Sequence, residues 1–141
     1  MTDPERRTDH RLGLAAALEL SRSPHWSDRV AAGRALAAAA EVPTAEAALG
    51  RLLVDAQDTA VTQETAEALL ARWDVCGLRL VLAAYQHADD ESADHLQGAI
   101  LNTCRQSAAD IVRLDLLCRQ LAGDPDPEVR AEAERLRQEL R

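Results

Sequence analysis

The stretch Leu121-Ala-Gly-Asp-Pro-Asp-Pro-Glu-Val-Arg-Ala-Glu-Ala-Glu-Arg-Leu136 decides the reading of this chain. A helix closes, an Asp/Pro turn follows, and an amphipathic helix opens. Asp126 is placed to cap the new helix, Pro127 suits its first position, and Glu128 favours its positive N-terminal end. Val129, Ala133, Leu136 and Leu140 then fall on one face. The same grammar occurs earlier as Leu53-Val-Asp-Ala-Gln-Asp-Thr-Ala-Val61. Leu to Val is eight residues in both copies, and the copies lie 68 residues apart. Two periods of about 34 residues fit that spacing, in the range of helical-pair repeats.

Working outward, the composition points the same way. The chain has 141 residues, enough for one core; 47% are hydrophobic, only 2% are aromatic, and Phe is absent. Ala, Leu and Val dominate, and Ala and Leu favour helix, so an all-α domain is expected. A β-rich chain would carry more β-branched and aromatic residues. The spacing predicts a first helix over about 8–21, behind a polar lead-in at residues 1–7, and a single repeat domain over 8–141. Ser23-Pro-His-Trp-Ser27 reads as a turn. Ser27 or Asp28 is then available to cap a helix carrying Val30, Gly33, Leu36 and Ala37, ended by Pro43. Thr44 is a candidate cap for a helix to Ala56, and Asp55-Ala-Gln-Asp58 turns into a partner helix reaching about Trp73. Val75 to His87 is helical, with Gly77 a weak point near its start. Residues 88–92 turn into a helix with Leu96, Ala99, Ile100 and Thr103. Ser107 and Asp110 fit a capping box before a stripe of Leu114, Leu117, Cys118 and Leu121. The second helices are anchored by Val30, Val61, Leu96 and Val129, separated by 31, 35 and 33 residues.

With these segments in place, the chain resembles the HEAT-repeat family, including the short HEAT-like repeats of bacterial proteins. The match rests on Asp124-Pro-Asp-Pro-Glu-Val-Arg-Ala-Glu-Ala-Glu-Arg-Leu136, which is similar to the pattern D-x-x-x-x-V-R-x-x-A-x-x-L. Asp28-Arg-Val-Ala-Ala-Gly-Arg-Ala-Leu36 and Asp58-Thr-Ala-Val-Thr-Gln-Glu-Thr-Ala-Glu-Ala-Leu69 are looser versions. Copy two has Thr62 where the pattern has Arg, and copy three lacks the Val-Arg pair. The resemblance implies a right-handed α-solenoid of about four helical pairs, about eight helices in all, with the second helices lining a concave face.

Charge sets the functional expectation. The net charge is −8, and every basic residue is Arg. Residues 1–43 hold six acids and six Arg, residues 44–88 six and three, and residues 89–141 twelve and seven. A nonspecific nucleic-acid binder would show the opposite balance. The turns supply nine acids without an Arg: Asp55 and Asp58, then Asp89, Asp90, Glu91 and Asp94, then Asp124, Asp126 and Glu128. Stacked turns would make an acidic ridge, although Asp at a helix start is also ordinary capping chemistry. With the second helices, the candidate partner-binding set is Trp26, Arg29, Gln63, Glu64, Glu67, Asp90, Glu91, Asp94, His95, Glu128 and Glu132. Trp26 and Trp73 stand out in an aromatic-poor chain, either as interface anchors or as packing between repeats.

Catalytic signatures are missing: no phosphate loop, nucleophile elbow, HExxH or dinucleotide fingerprint occurs. Cys76, Cys104 and Cys118 are widely spaced and read as reduced core thiols. His87 and His95 flank Asp89-Asp-Glu91, but the run lacks the ligand spacing of a calcium loop. No cofactor and no metal is expected. No apolar run is long enough to span a membrane, and no secretory leader opens the chain, so a cytoplasmic location is expected. The expected function is a non-enzymatic module that is monomeric on its own and grips a basic protein through a concave face and acidic edge. An immunity or inhibitor protein neutralising a toxin or enzyme domain would have this character. A regulatory scaffold, or an enzyme resembling HEAT-like DNA glycosylases or bilin lyases, is the alternative.

Overall fold

The computed structural model describes residues 13–141. The lead-in over residues 1–7 and the start of the first helix near Thr8 lie outside the described residues. Among the described residues there are eight α-helices and no strand. They are α1 (Leu14–Leu20), α2 (Trp26–Ala37), α3 (Pro43–Leu52), α4 (Thr59–Leu70), α5 (Val75–Ala84), α6 (Asp90–Cys104), α7 (Ala108–Leu121) and α8 (Pro127–Glu139). A short 3-10 turn, Tyr85–His87, extends α5.

Capping by short polar side chains sets most helix starts. Asp58 accepts from the Ala60 N–H, Asp74 from Gly77, Asp89 from Ser92, Ser107 from Asp110 and Asp126 from Glu128. Each satisfies a donor that the first helical turn leaves unpaired. The box at Ser107 is completed one residue early, since the Asp110 carboxylate takes the Gln106 N–H at 3.1 Å. Three starts differ from the sequence expectation, α6 opening at Asp90 inside the stretch 88–92 read as a turn. Neither Ser27 nor Asp28 caps α2: the N-cap position is His25, and Trp26 is the first helical residue rather than part of a turn. Ser23 Oγ instead donates to Asp28 at 2.7 Å, which holds that carboxylate at the helix N-terminus. Pro43 does not end a segment. It opens α3 at a position where its missing N–H costs nothing, so Thr44 lies inside the helix.

The helices share one hydrophobic core, and the anchors Val61, Leu96 and Val129 are fully buried, with Val30 nearly so. The even-numbered helices α2, α4 and α6 pack in succession, with the most extensive contacts in the molecule. Contact along the odd-numbered helices also runs in order, α1 to α3, α3 to α5 and α5 to α7. The alternation stops at α8, which packs against α7 and α5 instead of lying extensively along α6.

Two glycines allow this packing. A Cβ at Gly33 would lie 2.3 Å from Thr65 Oγ1, so α2 reaches α4 closely only without one. A Cβ at Gly77 would lie 2.2 Å from the Leu69 carbonyl oxygen, so the residue that weakens α5 as a helix is what lets it start against the end of α4. Thr62 is fully buried between helices, a place where the Arg of the repeat pattern would be desolvated.

Candidate acidic interface

The chain uses its turn carboxylates internally. Asp55 accepts two hydrogen bonds from Arg29, at 2.9 and 3.1 Å, and two from the N–H groups of Gln57 and Asp58. Arg29 also donates to the Ser23 carbonyl at 2.9 Å. Arg29 is therefore not an exposed partner-binding group, as its helical position suggested. It is buried, and its planar fork ties α2 to the following turn. Asp124 does the same work lower down. It accepts from Arg79 at 2.8 Å and from the Asp126 N–H at 2.9 Å. Asp126 caps α8 and also accepts from Gln86, and these two bonds hold its carboxyl below the usual range.

A different set of acids remains open to solvent. Asp90, Glu91 and Asp94 are exposed on the first two turns of α6 and have no side-chain partner among the described residues. Their local cause is the helix N-terminus, which favours negative charge. Beside them, Asp55, Asp58, Asp89 and Glu91 line one shallow hollow, where the first and second acidic turns meet. The backbone N–H of Ser92 holds the Asp89 carboxyl below its ordinary value.

The α4 face continues this surface. His95 Nδ1 and Gln63 Oε1 are 2.8 Å apart, and Gln63 Nε2 donates onward to Glu67 at 3.3 Å. The close packing of α4 on α6 thus links three candidate residues in one chain of hydrogen bonds. Glu64 accepts from Arg34 at 2.7 Å across α2 and α4, in a solvent-exposed pair. Seven of the candidates, Gln63, Glu64, Glu67, Asp90, Glu91, Asp94 and His95, therefore belong to the adjacent helices α4 and α6.

The others belong to α2 and α8. Glu128 is exposed on the first turn of α8, and Glu132 pairs with Arg135 at 2.8 Å. Their helix docks on α5 and α7, and its turn meets the end of α5 where Gln86 donates to Asp126 at 3.0 Å. Trp26 is 53% exposed at the start of α2. Trp73 is half-buried against the core at a left-handed φ of 53°, with the Arg113 guanidinium 4.2 Å above its ring.

The sequence reading overlooked Val112 and Leu116, large apolar side chains exposed on α7. Their signal is that α7 carries more apolar residues than its inner stripe of Leu114, Cys118 and Leu121, flanked by the partly buried Leu117, can use.

Burial pushes the Cys104 thiol up to about 11 and the Cys118 thiol up to about 12. Both are protonated at neutral pH. His87 lies in the exposed 3-10 turn, while His95 faces Gln63. No group of three or more His, Cys, Asp or Glu converges as a metal ion would require, among the described residues. Within the same range, no helix is long and apolar enough to cross a membrane. Comparison with family models, curated proteins and solved structures finds no match.

Proposed function

We propose that the chain is a non-enzymatic protein-binding module, a short α-solenoid of HEAT-like pairs whose α4 and α6 face grips a basic protein. One observation carries this reading. Asp90, Glu91 and Asp94 remain exposed and unpaired among the described residues, beside the hollow of Asp58 and Asp89, while Asp55, Asp58, Asp89, Asp124 and Asp126 are occupied by the fold. The succession of α2, α4 and α6 supports the solenoid part of the proposal. Unneutralised carboxylates with no internal partner raise the local negative potential, speed capture of a cation-rich surface, and lose strength in salt. An immunity or inhibitor role against a basic toxin or enzyme domain is the narrower form of the reading.

Affinity capture from the native cell at low and at high salt tests it. The expected result is one basic protein, identified by mass spectrometry and released by salt. Retention of nucleic acid, or of no protein at either salt, would refute the reading. If the captured protein is a toxin, loss of this chain should sensitise the cell to it.

A further inference from the structure

We infer that the groove between α7 and α8 is a second docking site, for an acidic amphipathic segment of another protein. Its floor is apolar, formed by Ile111, Val112, Leu116 and Leu140. Val112 is 61% exposed and Leu116 50%, one helical turn apart on the same face of α7. Exposed large apolar side chains that adjoin one another mark interaction surfaces more often than isolated ones do.

The rim identifies the occupant. Arg119, Arg137 and Arg141 surround the groove, and Asp115 is its one acid. Arg119 and Arg137 share that carboxylate, at 2.9 and 3.1 Å, and Arg137 beside it holds it well below its ordinary range. Arg137 also meets Glu134 at 3.5 Å, so three guanidinium groups face two carboxylates and leave an excess of one positive charge, in a chain whose net charge is −8. A second copy docking through the same groove would face arginine with arginine. A segment carrying two or three apolar side chains flanked by Asp or Glu would fill the floor and neutralise the rim, the arrangement by which an amphipathic helix enters a groove. This site lies on α7 and α8, away from the α4 and α6 face, and stands or falls independently of it.

The test uses the full chain and two labelled helical peptides of about 14 residues, each with Leu at i, i+4 spacing. One has Glu at the remaining positions and the other has Lys. Fluorescence anisotropy should show the Glu peptide binding, about tenfold more weakly to Leu116→Gln and several-fold more weakly to the double variant Arg119→Gln, Arg141→Gln. Binding of the Lys peptide should be indifferent to these changes. Val112→Gln reads the same loss should Leu116→Gln lower helical content in circular dichroism. The proposal is overturned if the Glu peptide does not bind, if these variants bind it as well as the wild type, or if both peptides weaken equally. It is also overturned if sedimentation finds a dimer that Leu116→Gln abolishes, since a second copy would then be the occupant.

Discussion

The turn at Asp55–Asp58 and the turn at Asp124–Asp126 place two carboxylates in the same two roles, but attach them to different helices. In each, the first Asp receives an arginine and closes its own turn, and the second caps the helix that follows. In the earlier turn the arginine is Arg29, from the even-numbered helix α2. In the later turn it is Arg79, from the odd-numbered helix α5. The surroundings differ too. The side chains of Arg29 and Asp55 are 7% and 10% exposed, whereas those of Arg79 and Asp124 are 34% and 6%. Identical turn chemistry thus fixes the local chain path without fixing which neighbour the next helix meets. That choice follows the surface on offer, and α8 takes the one formed by α5 and α7.

This contrast predicts a ranking of mutational effects. Asp55→Ala strands a buried guanidinium and should cost about 3–5 kcal/mol in urea denaturation. The double variant Arg29→Met, Asp55→Leu should recover most of that loss, because an apolar pair removes the stranded charge. Asp124→Ala should cost less, about 1–3 kcal/mol, since the partly exposed Arg79 regains water. Equal costs at Asp55 and Asp124 would break the comparison. Asp58→Ala removes a cap alone and should cost about 1 kcal/mol.

The smallest effect concerns pH. The Asp126 carboxyl is held low by Gln86 and by the Glu128 N–H. Its folded-state value lies below its unfolded one, so its contribution is present above the ordinary carboxylate range and is lost as pH falls through the folded value. Asp126→Asn should show a shallower acid limb in thermal melts below about pH 4. An unchanged limb would remove the Gln86 contact from the account.

Much of the fold was legible because caps and apolar stripes are local. Asp58, Ser107 and Asp126 announce helix starts, and Val61, Leu96 and Val129 are as buried as their periodicity requires. Where the reading failed, the cause was distant in sequence or ambiguous in type. Pro43 can end one helix or open another, and the chain path decides. Arg29 reads as an exposed helical arginine because its partner, Asp55, lies 26 residues away. The docking of α8 could not be read from its turn, which matches the earlier one. The candidate site was legible as a concentration of acids, but not as a division between occupied and open ones. Sequence shows that Asp89 and Asp90 are adjacent, whereas only the structure shows that Asp89 caps the helix and Asp90 faces solvent.

That division is the centre of the functional account, and a calorimetric titration tests it. The protein recovered by salt-sensitive capture would be titrated into the wild type and into the triple variant Asp90→Asn, Glu91→Gln, Asp94→Asn. The account predicts a fall in affinity of about tenfold or more at low salt, with a flatter salt dependence and helical content unchanged. Equal affinity for the two proteins would contradict it, because the open acids of α6 would then have no part in binding.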